Sequence, residues 1–257
     1  MKAGALEYVV KSESVFADMP HTVESALRKW ENILERRRAE KELERSAHML
    51  RRVLVGTVQA MARMVETRDP YTAGHQRRVA HLAVSIATEM DLPQETIEGL
   101  QLGATIHDIG KNYIPAEILN RPGPLTDIEF ELIKQHPQVG SDIVSEVDFP
   151  WPVAEMILQH HERMDGSGYP EGLSGDDIIL EARILAVADV VEAMASHRPY
   201  RPACGMEAAL AEIAANRAKA YDPEVADACL RLFKDRGYQL SAETYGNVET
   251  AAPIGVH

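Results

Sequence analysis

The chain has 257 residues, enough to bury a real core as one large domain or two modest ones. Its 27 Lys and Arg stand against 40 Asp and Glu, a net charge of -13. That balance argues against DNA or an anionic membrane surface as a partner, while a metal centre with a few local cations would still hold a small anion. Cys204 and Cys229 lie far apart without CxxC spacing and read as reduced thiols. No apolar run reaches the ~18 residues of a membrane span, and the opening MKAGALEYVVKSES lacks the apolar core of a signal peptide, so the expectation is a cytoplasmic chain without a membrane partner.

Residues 6–10, LEYVV, read as a short buried strand ending near Lys11, and from Thr22 the spacing of Val23, Leu27, Trp30 and Leu34 predicts a helix. This stretch resembles the last strand and last helix of a response-regulator receiver domain, over about 30 residues. The resemblance implies a receiver-like remnant over 1–32 that cannot accept phosphate by itself. Residues 31–52 are densely charged, which predicts a solvated helix face. Leu43, Ala47, Leu50, Leu54, Thr57, Met61 and Met64 alternate four and three apart, a heptad seam. Two readings stay open: a linker over 33–64 that pairs with its copy in a homodimer, or a helix packed on its own domain.

From Val65 the pattern is helical throughout. Arg68-Asp69-Pro70-Tyr71 breaks the long helix, and Gly74-His75 opens another with Val79, Leu82, Ile86 and Met90 on its buried face. After Pro93 comes a helix whose stripe Ile97, Leu100, Ala104 continues to His107. Thr126 and Glu129 form a capping box for a helix carrying Leu132, Ile133 and His136, expected to stop at Pro137. Val153, Ile157 and His160 repeat the pattern, and RMDGSGYPEGLSGDDIIL over 163–180 must be a loop with defined turns. The next helix places Asp189 on a stripe with Ala182, Leu185 and Ala186, where a carboxylate is costly unless paired or metal-bound. Two amphipathic helices near 206–220 and 223–235 complete an all-α body over 65–237, and 238–257 is expected to be a poorly ordered tail.

His75, His107, Asp108, His136, His160, His161 and Asp189 together offer enough ligands for two metals. Imidazole and carboxylate without thiolate suit iron, manganese or zinc. Adjacent ligands are ~100° apart on a helix, so His107-Asp108 and His160-His161 can each enter one groove and touch neighbouring sites. Asp108, with two oxygens, is the natural bridge. Two ions ~3.5 to 4 Å apart lower the pKa of a shared water and clamp an in-line displacement at phosphorus. Lys111, one turn beyond His107, could meet a phosphate oxygen, and Arg198 and Arg201 could grip a second phosphate.

The set HDxGK, HPQVG, HHERMDGSGYP and RPYRP resembles the HD-GYP family of cyclic di-GMP phosphodiesterases, over roughly residues 55–235. The resemblance implies an HD-domain helical bundle whose two divalent ions, iron or manganese, divide the ligands. One would be held by His75, His107, Asp108 and Asp189, the other by Asp108, His136, His160 and His161. It implies that Asp108 and Lys111 are catalytic and that Lys111, Tyr169, Arg198 and Arg201 bind substrate. The Gly168-Tyr169-Pro170 loop lies beside the substrate and is open to a signalling partner. Two departures stand out: Tyr71 where members with a third metal have glutamate, and Glu192 where many have aspartate. Neither removes a ligand of the two-metal centre. The implied activity is hydrolysis of cyclic di-GMP to pGpG, GMP or both. The rivals are another cyclic dinucleotide as substrate, or a non-catalytic signalling module, which would be marked by a lost ligand.

Overall fold

The computed structural model describes residues 15–68, 74–121, 123–196 and 204–240. The expected strand over 6–10, Tyr71, Arg198, Arg201 and residues 241–257 lie outside these described residues. The chain divides into two compact units, Met1–Gly56 and Thr57–His257.

Helix α1, Val15–Arg68, runs for 54 residues without a break. It begins ahead of the expected start at Thr22, and Pro20 falls in its second turn, where it removes a single backbone bond. The expected boundaries at 32/33 and 64/65 both fall inside it. The heptad seam faces solvent in the single chain: Leu43, Leu50 and Met64 are 71%, 70% and 64% exposed. A different stripe, Val58, Ala62 and Val65, is buried within the second unit. The end of α1 is fixed by Arg68, whose guanidinium donates to the carbonyls of Asn112 and Ile114, and by Asn120, which donates to the Arg68 carbonyl.

The second unit is helical, and among the described residues β structure is limited to two isolated bridges, Asp165 with Ser174 and Arg217 with Tyr221. α2 (His75–Glu89), α3 (Gln94–Ile106), α8 (Leu180–Ala195), α9 (Met206–Ala215) and α10 (Pro223–Lys234) enclose the main core. Of the predicted face of α2, Val79, Leu82 and Ile86 are fully buried and Met90 is half-buried, while Leu100 and Ala104 of α3 and Leu185 of α8 are fully buried. Burying each large aliphatic side chain contributes about 1.5–3 kcal/mol. α6 (His136–Ser145) packs on α7 (Val153–Gln159) and on a 3-10 segment at Ile109–Tyr113. A short α4 spans Ala116–Leu119 and α5 spans Asp127–Ile133.

Three expectations need correction. Pro137 does not stop the helix begun at Thr126. The capping box is present, but α5 ends at Ile133 and α6 starts at His136, with Pro137 in its first turn, where a missing amide costs nothing. α9 stops at Ala215 instead of reaching 220, because the chain turns through Ala218 at φ 60 to bury Tyr221. Tyr238, assigned to a poorly ordered tail, stacks on His81 at 5.6 Å between ring centres and shares a 2.5 Å hydrogen bond with its Nδ1. Cys204 and Cys229 are free thiols. No described helix is long and apolar enough to cross a membrane.

Candidate metal centre

The cluster is assembled from helix ends. His75 opens α2, His107 caps the end of α3, His136 opens α6, and His160 caps the end of α7 with His161 following. Asp108 precedes the 3-10 segment, and Asp189 lies within α8. Three of the histidines use one local device. His107, His136 and His160 hydrogen-bond through Nδ1 to the carbonyl three residues earlier: Ala104 at 2.8 Å, Ile133 at 2.7 Å and Ile157 at 2.6 Å. A carbonyl only accepts, so Nδ1 carries the proton and each Nε2 presents a lone pair.

Those lone pairs converge. His136 Nε2 lies 3.3 Å from His160 Nε2, and His107 Nε2 is buried without a hydrogen-bond partner. Facing lone pairs and an orphaned buried nitrogen are costly unless a cation sits among them. Donor atoms within 4.8 Å of one another form three groups: His75, His107 and Asp189; His136, His160 and His161; and His107, Asp108 and His160. Asp108 spans the first two. Its Oδ2 is 3.8 Å from His75 Nε2 and 3.6 Å from His107 Nε2, and its Oδ1 is 3.4 Å from His136 Nε2. The seven residues singled out from the sequence are thus brought to one place, and the third group joins His107 and Asp108 to His160 across the two sets that the resemblance implied.

Gly110 permits this approach. A Cβ there would lie 2.0 Å from the His136 carbonyl oxygen, so a side chain would push the Asp108 turn off α6. Lys111 places its ammonium 2.7 Å from Asp108 Oδ2, so in this state it braces the bridging carboxylate.

The electrostatics match a cation receptor. Burial opposes charge on Asp108, but Lys111 and then His107, His136 and His75 outweigh it and hold the carboxyl well below its usual range. Burial likewise opposes charge on Asp189, but the His75 hydrogen bond, together with the charges of His75, His107 and His161, outweighs it and holds the carboxyl well below its usual range. Burial pushes His136 down to about 4 and keeps His160 and His161 well below the ordinary imidazole range. Deprotonated carboxylates and neutral imidazoles are the forms that bind metal. His75 differs: burial lowers it, but hydrogen bonds to Asp189 and Glu192 and their charges raise it to about 9.

Two residues without an assigned role in the sequence reading support the site. Glu192, 1% exposed, accepts from His75 Nδ1, from Arg78 Nε at 2.7 Å and Nη2 at 2.6 Å, and from Ser196 Oγ at 2.7 Å. It turns His75 Nε2 toward Asp189 Oδ1, 3.2 Å away. The sequence signal was its position three residues beyond Asp189, on the same face of α8. Glu162, directly after His161, accepts from the amides of Glu171 and Gly172 and pins the Gly168-Tyr169-Pro170 loop. A Cβ on Gly168 would lie 2.4 Å from Glu162 Cα, so the loop packs flush against the ligand segment. Tyr169 thereby stacks on His161 at 4.7 Å between ring centres.

The body is helical, and its His and Asp cluster is gathered at the helix ends and on α8. A family model described as an HD domain matches residues 59–225, and the chain belongs to that family, with the motif set of its HD-GYP branch. It is 44% identical over 177 residues to the cyclic di-GMP phosphodiesterase response regulator RpfG of Xanthomonas campestris pv. campestris, covering 68% of this chain and 47% of that protein. It is 37% identical over 186 residues to a 3'3'-cGAMP-specific phosphodiesterase of Vibrio cholerae serotype O1, covering 71% of this chain and 40% of that one. The chain therefore spans about half the length of these relatives or less. Among solved structures, Bd1817, an HD-GYP-type protein of Bdellovibrio bacteriovorus, superposes with a TM-score of 0.52 at 22% identity, over 62% of this chain and 51% of that one. That likeness concerns the fold.

Proposed function

We propose that the chain is a metal-dependent phosphodiesterase that opens cyclic di-GMP to pGpG, and onward to GMP, at a centre for two divalent ions, iron or manganese. The observation that carries this reading is Asp108, whose two oxygens face two separate sets of histidine donors. His75, His107, Asp108 and Asp189 would hold one ion, and Asp108, His136, His160 and His161 the other. Bound there, the pair supplies an activated water and neutralises charge developing at phosphorus.

The chain's own groups do the rest. Lys111 holds Asp108 until substrate arrives, and its ammonium is within reach of a non-bridging phosphate oxygen beside that carboxylate. Glu192 fixes His75, and Glu162 fixes the loop that sets Tyr169 against His161. Arg198 and Arg201 are assigned to a second phosphate from the sequence alone. A second reading, the same chemistry on 3'3'-cGAMP, is favoured by the Vibrio cholerae relative. α1 would carry an upstream signal to the domain as a homodimeric coiled coil, through its solvent-facing seam.

The test is chromatography of products from cyclic di-GMP and 3'3'-cGAMP with protein purified anaerobically and loaded with iron or manganese, beside Asp108→Ala. Linear or mononucleotide product from the parent and none from the variant is expected. Intact substrate from a fully metal-loaded parent would refute the reading.

A further inference from the structure

α5 contains no buried residue, yet it is firmly placed. The Thr126 and Glu129 capping box and an ion pair from Arg121 to Glu129 fix its start, and three residues after its end the chain reaches His136. What α5 presents is Phe130, 46% exposed, with Lys134 just past its end. The Phe130 ring meets Tyr169 edge to face, with centres 6.5 Å apart and planes at 78°. Lys134 Nζ, itself paired with Glu131 at 2.5 Å, lies 5.4 Å from the Phe130 centre and 6.0 Å from that of Tyr169.

These rings continue a file that begins in the metal centre. His160 and His161 are 4.1 Å apart between centres, His161 and Tyr169 4.7 Å, and Tyr169 and Phe130 6.5 Å. Exposure grows along it, from a fully buried His160 to the half-open Phe130. A lone exposed aromatic is ordinary. An aromatic held by a capped helix that buries nothing, beside a cation and in line with a ligand cluster, is a different object. Phe130 is 46% exposed, so part of its ring is open to a flat partner. A nucleobase is one ribose away from the phosphate it accompanies, so a phosphate at Asp108 carries its base toward the outer end of this file.

The geometry points to Phe130, backed by Tyr169 and Lys134, as a stacking wall for a purine base of the cyclic dinucleotide, and so as a specificity-determining residue. This rests on the phosphodiesterase reading above. Aromatic faces stack on bases with enough strength that truncation to alanine changes binding by roughly five-fold to 150-fold. Lys134 adds an ammonium donor for the acceptor atoms on the edge of a base lying against the wall.

The experiment uses the full metal-loaded chain with cyclic di-GMP and follows KM and kcat for Phe130→Ala, Phe130→Leu, Phe130→Trp and the control Ile128→Ala, whose parent residue is 83% exposed. Binding of a cyclic dinucleotide carrying 2-aminopurine is followed alongside, since its fluorescence drops when it stacks. KM is expected to rise at least about five-fold in the Ala and Leu variants, with kcat within about two-fold. The Trp and Ile128 variants should match the parent, and quenching should be lost with Ala. A Leu variant with parental KM would show that Phe130 only packs against Tyr169, and would overturn the wall alone, as would unchanged KM in Phe130→Ala. A parent that turns over no cyclic dinucleotide would overturn the phosphodiesterase reading and the wall with it. Should Phe130→Ala fail to fold, the comparison of Leu with Trp decides.

Discussion

Glu192 offers the sharpest check on how the site is built. Its carboxylate receives the His75 Nδ1 proton, two nitrogens of Arg78 and the Ser196 hydroxyl, from a position 1% exposed. Glu192→Gln keeps the volume and one oxygen but removes the charge that orients the imidazole and balances Arg78. Partners of this kind typically matter by about 10- to 100-fold in metal affinity, or roughly 1.4 to 2.8 kcal/mol. The loss should fall on the ion held with His75 and Asp189, because Glu192 touches none of His136, His160 and His161. Glu192→Ala should add a stability cost of about 1–3 kcal/mol, since it removes the acceptor of the His75 Nδ1 proton and of the Ser196 hydroxyl. Glu192→Asp should recover part of the affinity through a shorter carboxylate. Titration calorimetry with manganese, together with metal content after dialysis, separates these cases. Parental affinity at both sites in Glu192→Gln would refute the claim that Glu192 orients His75.

Gly110→Ala should displace the Asp108 turn, because its Cβ would lie 2.0 Å from the His136 carbonyl oxygen; metal content is expected to fall toward one ion per chain. Gly168→Ala should lift the Tyr169 loop off Glu162 and lower kcat/KM for cyclic dinucleotide while two ions stay bound, read by kinetics beside metal analysis. For the metal-free protein the sign of the pH dependence follows from burial. His136, down to about 4, and His160 and His161, well below their ordinary value of 6.5, stay neutral when folded but take up protons when unfolded near 6.5. Their contribution is therefore present above pH 6.5 and declines as pH falls toward 4, at about 1.4 kcal/mol per pH unit for each histidine. His75, raised to about 9, acts oppositely: its contribution is full below pH 6.5 and is lost as pH rises through 9. Denaturant unfolding of the apo form between pH 5 and 6.5 should show the first decline, reduced in His136→Gln.

Members of the cluster were legible where a polar residue continues an apolar stripe at helical spacing. His107 continues Ile97, Leu100 and Ala104, and Asp189 continues Ala182, Leu185 and Ala186, so a chemically odd residue on a buried face announced itself. Boundaries were less legible. Proline reads as a helix stop or a helix start depending on which side of it the chain is helical, and Pro137 proved to be a start. Support contacts were the least legible. Glu192 reaches His75 across 117 residues, and Phe130 meets Tyr169 from the far side of α6 and α7 in the chain, neither of which a periodicity can report.

The difference between ligands and supports has a physical origin in the backbone. For His107, His136 and His160 the proton on Nδ1 is fixed by a carbonyl only three residues earlier in the chain. That bond exists once the local turn forms, so the imidazole's chemical state is set before the bundle closes. His75 opens its helix and turns instead to Glu192 on α8. Its orientation is thus a tertiary property, and an ion held there with Asp189 would depend on α2 and α8 being in register. Loosening of that packing should therefore reach the His75 and Asp189 site before the site of His136, His160 and His161. In partial denaturant, the first ion lost should be the one whose retention also responds to Glu192.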